Sequence, residues 1–170
     1  FTIAGIPLIG EMEFAFPFCS ARIVGVTGTN GKTTTVELIE TMFNACGEPT
    51  VAAGNYGRPL SEIVTASETY STVALEISSF QLETVEEFRP EVAVWTNFAP
   101  DHLDRYPDIE QYRAAKMRLF ENQTNDDWAV LRKLLPGMVD HKTREGSSTW
   151  VTTSWALWSL RNSIRKSPAS

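Results

Sequence analysis

The chain has 170 residues, 42% hydrophobic and 21% charged, the balance of a globular domain with a core of its own. A net charge of −6 argues against general affinity for nucleic acid. No apolar run reaches the roughly 18 residues of a membrane-spanning helix.

Phe1 to Ser20 is turn-rich, with Gly5, Pro7, Gly10 and Pro17, and reads as a connector. Its opening FTIAGIPLIG lacks the basic stretch of a signal peptide, and without an initiator Met the chain reads as starting inside a longer protein. Ile23 to Thr27 is a continuous apolar run, expected as a buried strand. GTNGKTTT at Gly28 to Thr35 follows directly. From Thr33 to Cys46, the residues Val36, Ile39, Met42, Phe43 and Cys46 recur at helical spacing, and Gly47 is expected just past the helix end. Thr50 to Ala53 is a second strand, followed by the loop GNYGRP and a short helix over Pro59 to Ala66. Thr72 to Ile77 and Glu91 to Asn97 are the third and fourth strands. Asp108 to Asn122 is a helix with Asp108 near its N-cap, and Trp128 opens another strand running to Leu131. Strands alternating with helices imply an α/β fold with a doubly wound, mostly parallel sheet. Cys19 and Cys46 stand alone without CxxC spacing and read as reduced cytoplasmic thiols.

Composition changes near residue 132. Residues 1–132 hold 9 Lys and Arg against 19 Asp and Glu, whereas residues 133–170 hold 6 against 2. The last stretch opens on Pro136-Gly137 and shows no strand–helix alternation. It is expected to be an atypical tail: frameshifted, mispredicted, chimeric or disordered.

In a doubly wound fold, ligands bind beyond the carboxyl ends of the strands. The first strand runs into Gly28, Thr29, Asn30, Gly31, Lys32, Thr33 and Thr34, a glycine turn opening a helix. Backbone N–H groups there close on phosphate oxygens and the helix dipole favours negative charge. Lys32 would reach the β- and γ-phosphates of ATP and Thr33 would hold Mg²⁺. The usual pattern also wants a glycine at position 26, which is Val26, so this is a shorter variant. The second strand ends at Asn55 and the third at Glu76, a carboxylate costly to bury unpaired. Glu76 reads as a Mg²⁺ ligand or as a solvated strand-end acid. His102, in the polar loop NFAPDHLDRYP after the fourth strand, reads as a metal ligand or as a solvent-facing side chain. Lys116 falls on the apolar stripe of Ile109, Tyr112, Leu119 and Phe120. Burial there would lower its pKa and let the neutral amine take up CO₂; a lysine that snorkels to solvent is the alternative. Ser78 or Ser79 in SSFQLE reads as an ordinary helix cap.

Together, GTNGKT, AAGNYGRPL, ALEISSFQLE, TNFAPDHLDRY and QYRAAKMRLFENQ resemble the Mur ligase family of ATP-dependent amide-bond-forming enzymes. The likeness covers about Gly10 to Arg132, and ALEISSFQLE looks like the D-glutamate-adding branch. It implies that residues 1–20 end an N-terminal UDP-sugar-binding domain and its linker, and that residues 21–132 are part of a central ATP-binding domain. It implies D-glutamate addition to UDP-N-acetylmuramoyl-L-alanine through an acyl phosphate, in a cytoplasmic enzyme that is a monomer when complete. Two Mg²⁺ sites are implied: one at Thr33 and Glu76, one at His102 and a carbamylated Lys116, with Asn55, Ser78 and Gln81 near the substrate. A fragment that only binds ATP·Mg²⁺, and a ligase of the family with another amino-acid preference, remain the alternative expectations.

Overall fold

Arg22–Thr27 forms β1, and its residues are apolar throughout its centre because both faces are covered. Ile23 packs on one side with Met12, Leu60, Ile63, Phe88 and Leu119. Val24 and Val26 point the other way, against Val36, Ile39 and Phe43. A computed structural model describes residues 8–102, 104–131 and the backbone of 149–152. The expectations for residues 1–7 and for most of the tail lie outside the described residues.

In chain order, α1 (Glu11–Ala15) leads through a 3₁₀ turn (Phe16–Phe18) to β1. Then come α2 (Lys32–Ala45), β2 (Thr50–Gly54), α3 (Leu60–Thr65), β3 (Thr72–Glu76) and α4 (Ser79–Leu82). β4 (Val92–Trp95), α5 (Ile109–Met117), a 3₁₀ turn (Arg118–Phe120), β5 (Trp128–Leu131) and β6 (Thr149–Thr152) follow. The sheet is parallel throughout, in the order β2-β3-β1-β4-β5-β6. The chain crosses β1 between β3 and β4, so the strand order reverses around β1 and opens a crevice at its carboxyl end. Register sets Val26 abreast of Glu76, and Glu76 abreast of Gly54. α2 covers one face of the sheet; α1, α3 and the turn carrying Leu119 cover the other.

Three elements differ from expectation. The connector contains α1, whose acids make tertiary bonds: Glu11 accepts from the N–H of Ser61, and Glu13 from the N–H groups of Glu87 and Phe88 at 2.6 and 3.1 Å. The expected helix to Asn122 stops at Met117 and tightens into a 3₁₀ turn, as helix ends often do. There Arg118 donates to the carbonyls of Glu83 and Val85. The sheet also continues past residue 132, with β6 parallel to β5.

The outer edge of β2 is closed by the chain itself. Asn44 accepts from the N–H of Thr50 and donates to its carbonyl, at 3.0 and 2.8 Å. Glu40 accepts from the N–H of Ala52, and the carbonyl of Arg58 from the N–H of Gly54.

Glu13 is 9% exposed, and its removal leaves two backbone donors of the 83–90 loop unpartnered. Glu13→Ala is expected to destabilise the chain by about 2 kcal/mol in urea unfolding. An unchanged midpoint would refute the docking of α1 onto that loop.

Candidate active site

The phosphate-type loop leaves β1 at Thr27 and enters α2 at Lys32. Gly28 has φ 149°, and a Cβ there would collide with Thr96 Oγ1, so the turn admits only glycine. No side chain caps α2, so the N–H groups of its first turn, with the helix dipole behind them, are available to an anion. Thr34 lies in that turn. Lys32 Nζ spans the loop, donating to the carbonyls of Gly28 and Thr29 at 3.2 Å each.

The loop is shaped by the segment after β4, which sequence reasoning had missed. Asn97 pairs with the backbone of Asn30 in both directions, Oδ1 accepting at 2.9 Å and Nδ2 donating at 2.8 Å. Thr29 Oγ1 accepts from the N–H of Ala99 at 3.0 Å and donates to its carbonyl at 3.1 Å. Thr96 donates to the carbonyl of Asn30. The available signal was position: Thr96 and Asn97 stand at the same strand edge as the other polar residues.

Glu76 closes β3, only 3% exposed. Thr33 Oγ1 donates to Oε2 at 2.6 Å and Asn55 Nδ2 to Oε1 at 3.2 Å. Gly54 permits this arrangement: its φ is 115°, and a Cβ would collide with the Glu76 carbonyl. Among the described residues Glu76 makes no ion pair. A buried carboxylate with two neutral donors keeps lone pairs for a cation. No cluster of three or more His, Cys, Asp or Glu side chains stands among the described residues. The donor set therefore fits Mg²⁺, which takes one or two carboxylates together with phosphate oxygens, better than an all-protein cage.

Lys116 does not snorkel. It is 2% exposed, and its Nζ donates to the carbonyl of Gly28 at 3.0 Å, 4.8 Å from the Tyr112 ring centroid. Burial pushes its pKa down to about 8, with repulsion from Lys32 adding and attraction from Asp101 opposing. His102 adopts φ 52° and its ring packs 4.9 Å from that of Phe80 and 6.0 Å from that of Tyr112. Its Nε2 is 3.6 Å from Asp101 Oδ2. So the structure joins Thr33, Asn55 and Glu76 by hydrogen bonds, joins Lys32 and Lys116 at Gly28, and sets His102 and Lys116 against the same tyrosine. Ser78 and Gln81 are engaged with one another: Ser78 caps α4, and Gln81 Oε1 accepts the Ser78 N–H at 3.0 Å. A cavity of about 500 Å³ lined by Glu83, Arg105, Tyr106 and Gln111 opens elsewhere, beside none of the phosphate-loop residues. The polar side chains of the phosphate-type loop, Glu76 and Lys116 instead converge at the strand edge.

Known proteins share this arrangement of elements. A MurF ligase from Thermotoga maritima, solved in complex with ADP, superposes with a TM-score of 0.66 at 19% identity, over 84% of this chain and 35% of that one. The UDP-N-acetylmuramate:L-alanyl-γ-D-glutamyl-meso-diaminopimelate ligase from Neisseria meningitides gives 0.64 at 15% identity, over 87% and 51%. In sequence, the UDP-N-acetylmuramoylalanine–D-glutamate ligase of Geotalea daltonii is 52% identical over 124 residues, 73% of this chain and 27% of that protein. That of Trichlorobacter lovleyi is 48% identical over 132 residues, 78% and 30%. The chain thus spans less than a third of the length of these curated relatives. Residues 26–154 match the Mur ligase middle domain, a span that reaches through β6. By that match, and by a fold that carries the loop, the strand-end acid and the buried lysine in one crevice, the chain belongs to the Mur ligase family.

Proposed function

We propose that this chain serves ATP-dependent amide-bond formation in peptidoglycan synthesis, adding D-glutamate to UDP-N-acetylmuramoyl-L-alanine. The observation that carries the reading is the Thr33–Glu76 pair at the mouth of the phosphate loop, with Lys116 reaching the same loop. The 52% identity to a ligase named for D-glutamate supports the choice of amino acid. In this reading residues 1–20 are the end of a UDP-sugar-binding domain and its linker, and residues 21–132 are part of the ATP-binding body. The working protein is a cytoplasmic monomer.

Each side chain has a task. Lys32 and the N–H groups from Gly28 to Thr33 hold the β- and γ-phosphates; Asn30 and Thr34 shape the rim. Thr33 and Glu76 hold one Mg²⁺, and Asn55 orients the carboxylate. His102 and Lys116 hold a second. For that, the neutral Lys116 Nζ adds to the carbon of CO₂ and releases one proton, leaving an anionic carbamate. Gln81 Nε2, which the capping box does not use, and Ser78 face the substrate. Bound Mg²⁺ would neutralise charge as the γ-phosphoryl group passes to the alanyl carboxylate, before the amine of D-glutamate displaces phosphate from the acyl phosphate. The chain's own contribution is positioning and fixed charge at a crevice built before substrate arrives.

A second reading, nucleotide binding without turnover, follows from the short span relative to the relatives. Calorimetric titration with ATP·Mg²⁺ should show binding by the 170-residue chain. Phosphate release should depend on D-glutamate, over other amino acids, in a longer protein carrying this sequence. Release with no amino-acid dependence would sink the ligase reading, and D-glutamate-dependent turnover by this chain alone would sink the second.

Glu76→Gln is expected to weaken Mg²⁺-dependent nucleotide binding at least about tenfold, leaving metal-free binding near its starting value. Equal losses with and without Mg²⁺ would remove Glu76 from the metal site.

The pKa of Lys116 gives a pH dependence with a definite sign. The folded state releases the proton near pH 8 and the unfolded state only near 10.5. Between those values the unfolded chain binds more protons, so stability rises with pH, by on the order of 3 kcal/mol. Below pH 8 both states are protonated and the gain is absent. Lys116→Met should flatten that slope. In a complete ligase Lys116→Ala should lose activity and regain part of it with a short carboxylic acid; full activity without rescue would exclude the carbamate.

A further inference from the structure

Glu83 directly follows α4 and takes no part in the reaction described above. Its carboxylate is nonetheless the meeting point of the loop that carries His102. Oε2 accepts from Arg105 Nη2 at 2.7 Å, and Oε1 from Arg105 Nε at 3.3 Å and from the Tyr106 hydroxyl at 2.5 Å. The N–H groups of Arg105 and Tyr106 both donate to the carbonyl of His102 at 3.0 Å, closing a tight turn on it. Arg105 also lies 4.4 Å over the ring of Phe80, the ring that packs on His102. Glu83 itself is pinned from behind by Arg118, which donates to its carbonyl at 2.7 Å.

We propose that Glu83 is a positioning residue that sets the His102 imidazole at the ligand edge of the sheet. The inference rests on the role given to His102 above and adds the part that aims it. An exposed ion pair contributes little stability, and Glu83 and Arg105 are 33% and 51% exposed at their side chains. What the fork supplies is geometry, since a bidentate guanidinium fixes direction as well as distance. His102 gains from that constraint because its left-handed backbone, at φ 52°, is a sparsely populated conformation for a side-chain-bearing residue. Tyr106 completes the clamp: it is 7% exposed, and burial, followed by the bond to Glu83, pushes its pKa up to about 12, so the hydroxyl remains a donor. Because Glu83 ends the helix that Ser78 opens, the clamp also ties the imidazole to the segment assigned to the substrate.

The proton spectrum of the 170-residue chain tests the clamp without any metal. The His102 ring protons, assigned by their disappearance in His102→Ala, should carry ring-current shifts from Phe80 and Tyr112. Glu83→Ala should collapse most of that shift. Glu83→Gln keeps an acceptor for Tyr106 and should collapse part of it, which preserves the test if the alanine variant does not fold. Unmoved ring shifts in a folded variant overturn the proposal. A second arm uses Mn²⁺ with ATP. Imidazole nitrogen coupling to Mn²⁺ should be present in the unchanged chain and absent in His102→Ala, with Glu83→Gln weakening Mn²⁺ binding by about tenfold. Ring shifts that move with Glu83, without nitrogen coupling in the unchanged chain, would uphold the clamp and remove His102 from the metal.

Discussion

Glu76 is an acid held out of water at the end of a central strand, and its surroundings are arranged around that fact. Its two hydrogen-bond donors are neutral, so its negative charge stays available to the crevice. Reaching this state takes three strands in step: Val26, Glu76 and Gly54 stand abreast, with the helix that begins at Lys32 delivering Thr33 from above. The valine at position 26 belongs to this design, since it is fully buried against α2 while the turn itself starts two residues later. Shortening the glycine turn lets the strand contribute core packing almost up to the loop.

Positive charge is organised about a second point, the carbonyl of Gly28. Lys32 reaches it from the helix start and Lys116 from the far side of the sheet edge. Two ammonium groups on one oxygen repel, and the mutual effect helps lower the proton affinity of the buried one. The crevice therefore holds two amines on one carbonyl, and burial of Lys116 lowers its hold on its proton. The Tyr112 ring packs against Lys116 and His102 alike, so a single aromatic side chain sets the spacing of those two groups.

Much of this was legible in the residues. Strand and helix positions followed from apolar periodicity, and Lys116 announced itself by sitting on an apolar stripe. The sequence could not show which way Lys116 would turn, because snorkelling and burial leave the same pattern; the choice depends on Gly28, 88 residues away. Asn97 and Glu83 carry no periodic sequence signal for a related reason. Each acts on backbone or side chains distant in sequence, and an isolated amide or acid in a polar loop has no periodicity to mark it. Helix α1 was hidden because five residues carry too little pattern, and its form is stabilised by acids reaching Ser61 and the 87–88 backbone. Ser78 and Gln81 show the opposite case, where the ordinary capping reading describes the side chains as they stand.

The closure of β2 has a consequence for assembly. Asn44, Glu40 and the Arg58 carbonyl occupy the outward N–H groups of Thr50, Ala52 and Gly54, so an incoming strand finds no donor there. The sheet therefore does not lengthen past β2. The flank of the crevice beside Asn55 is thereby kept clear of added strands.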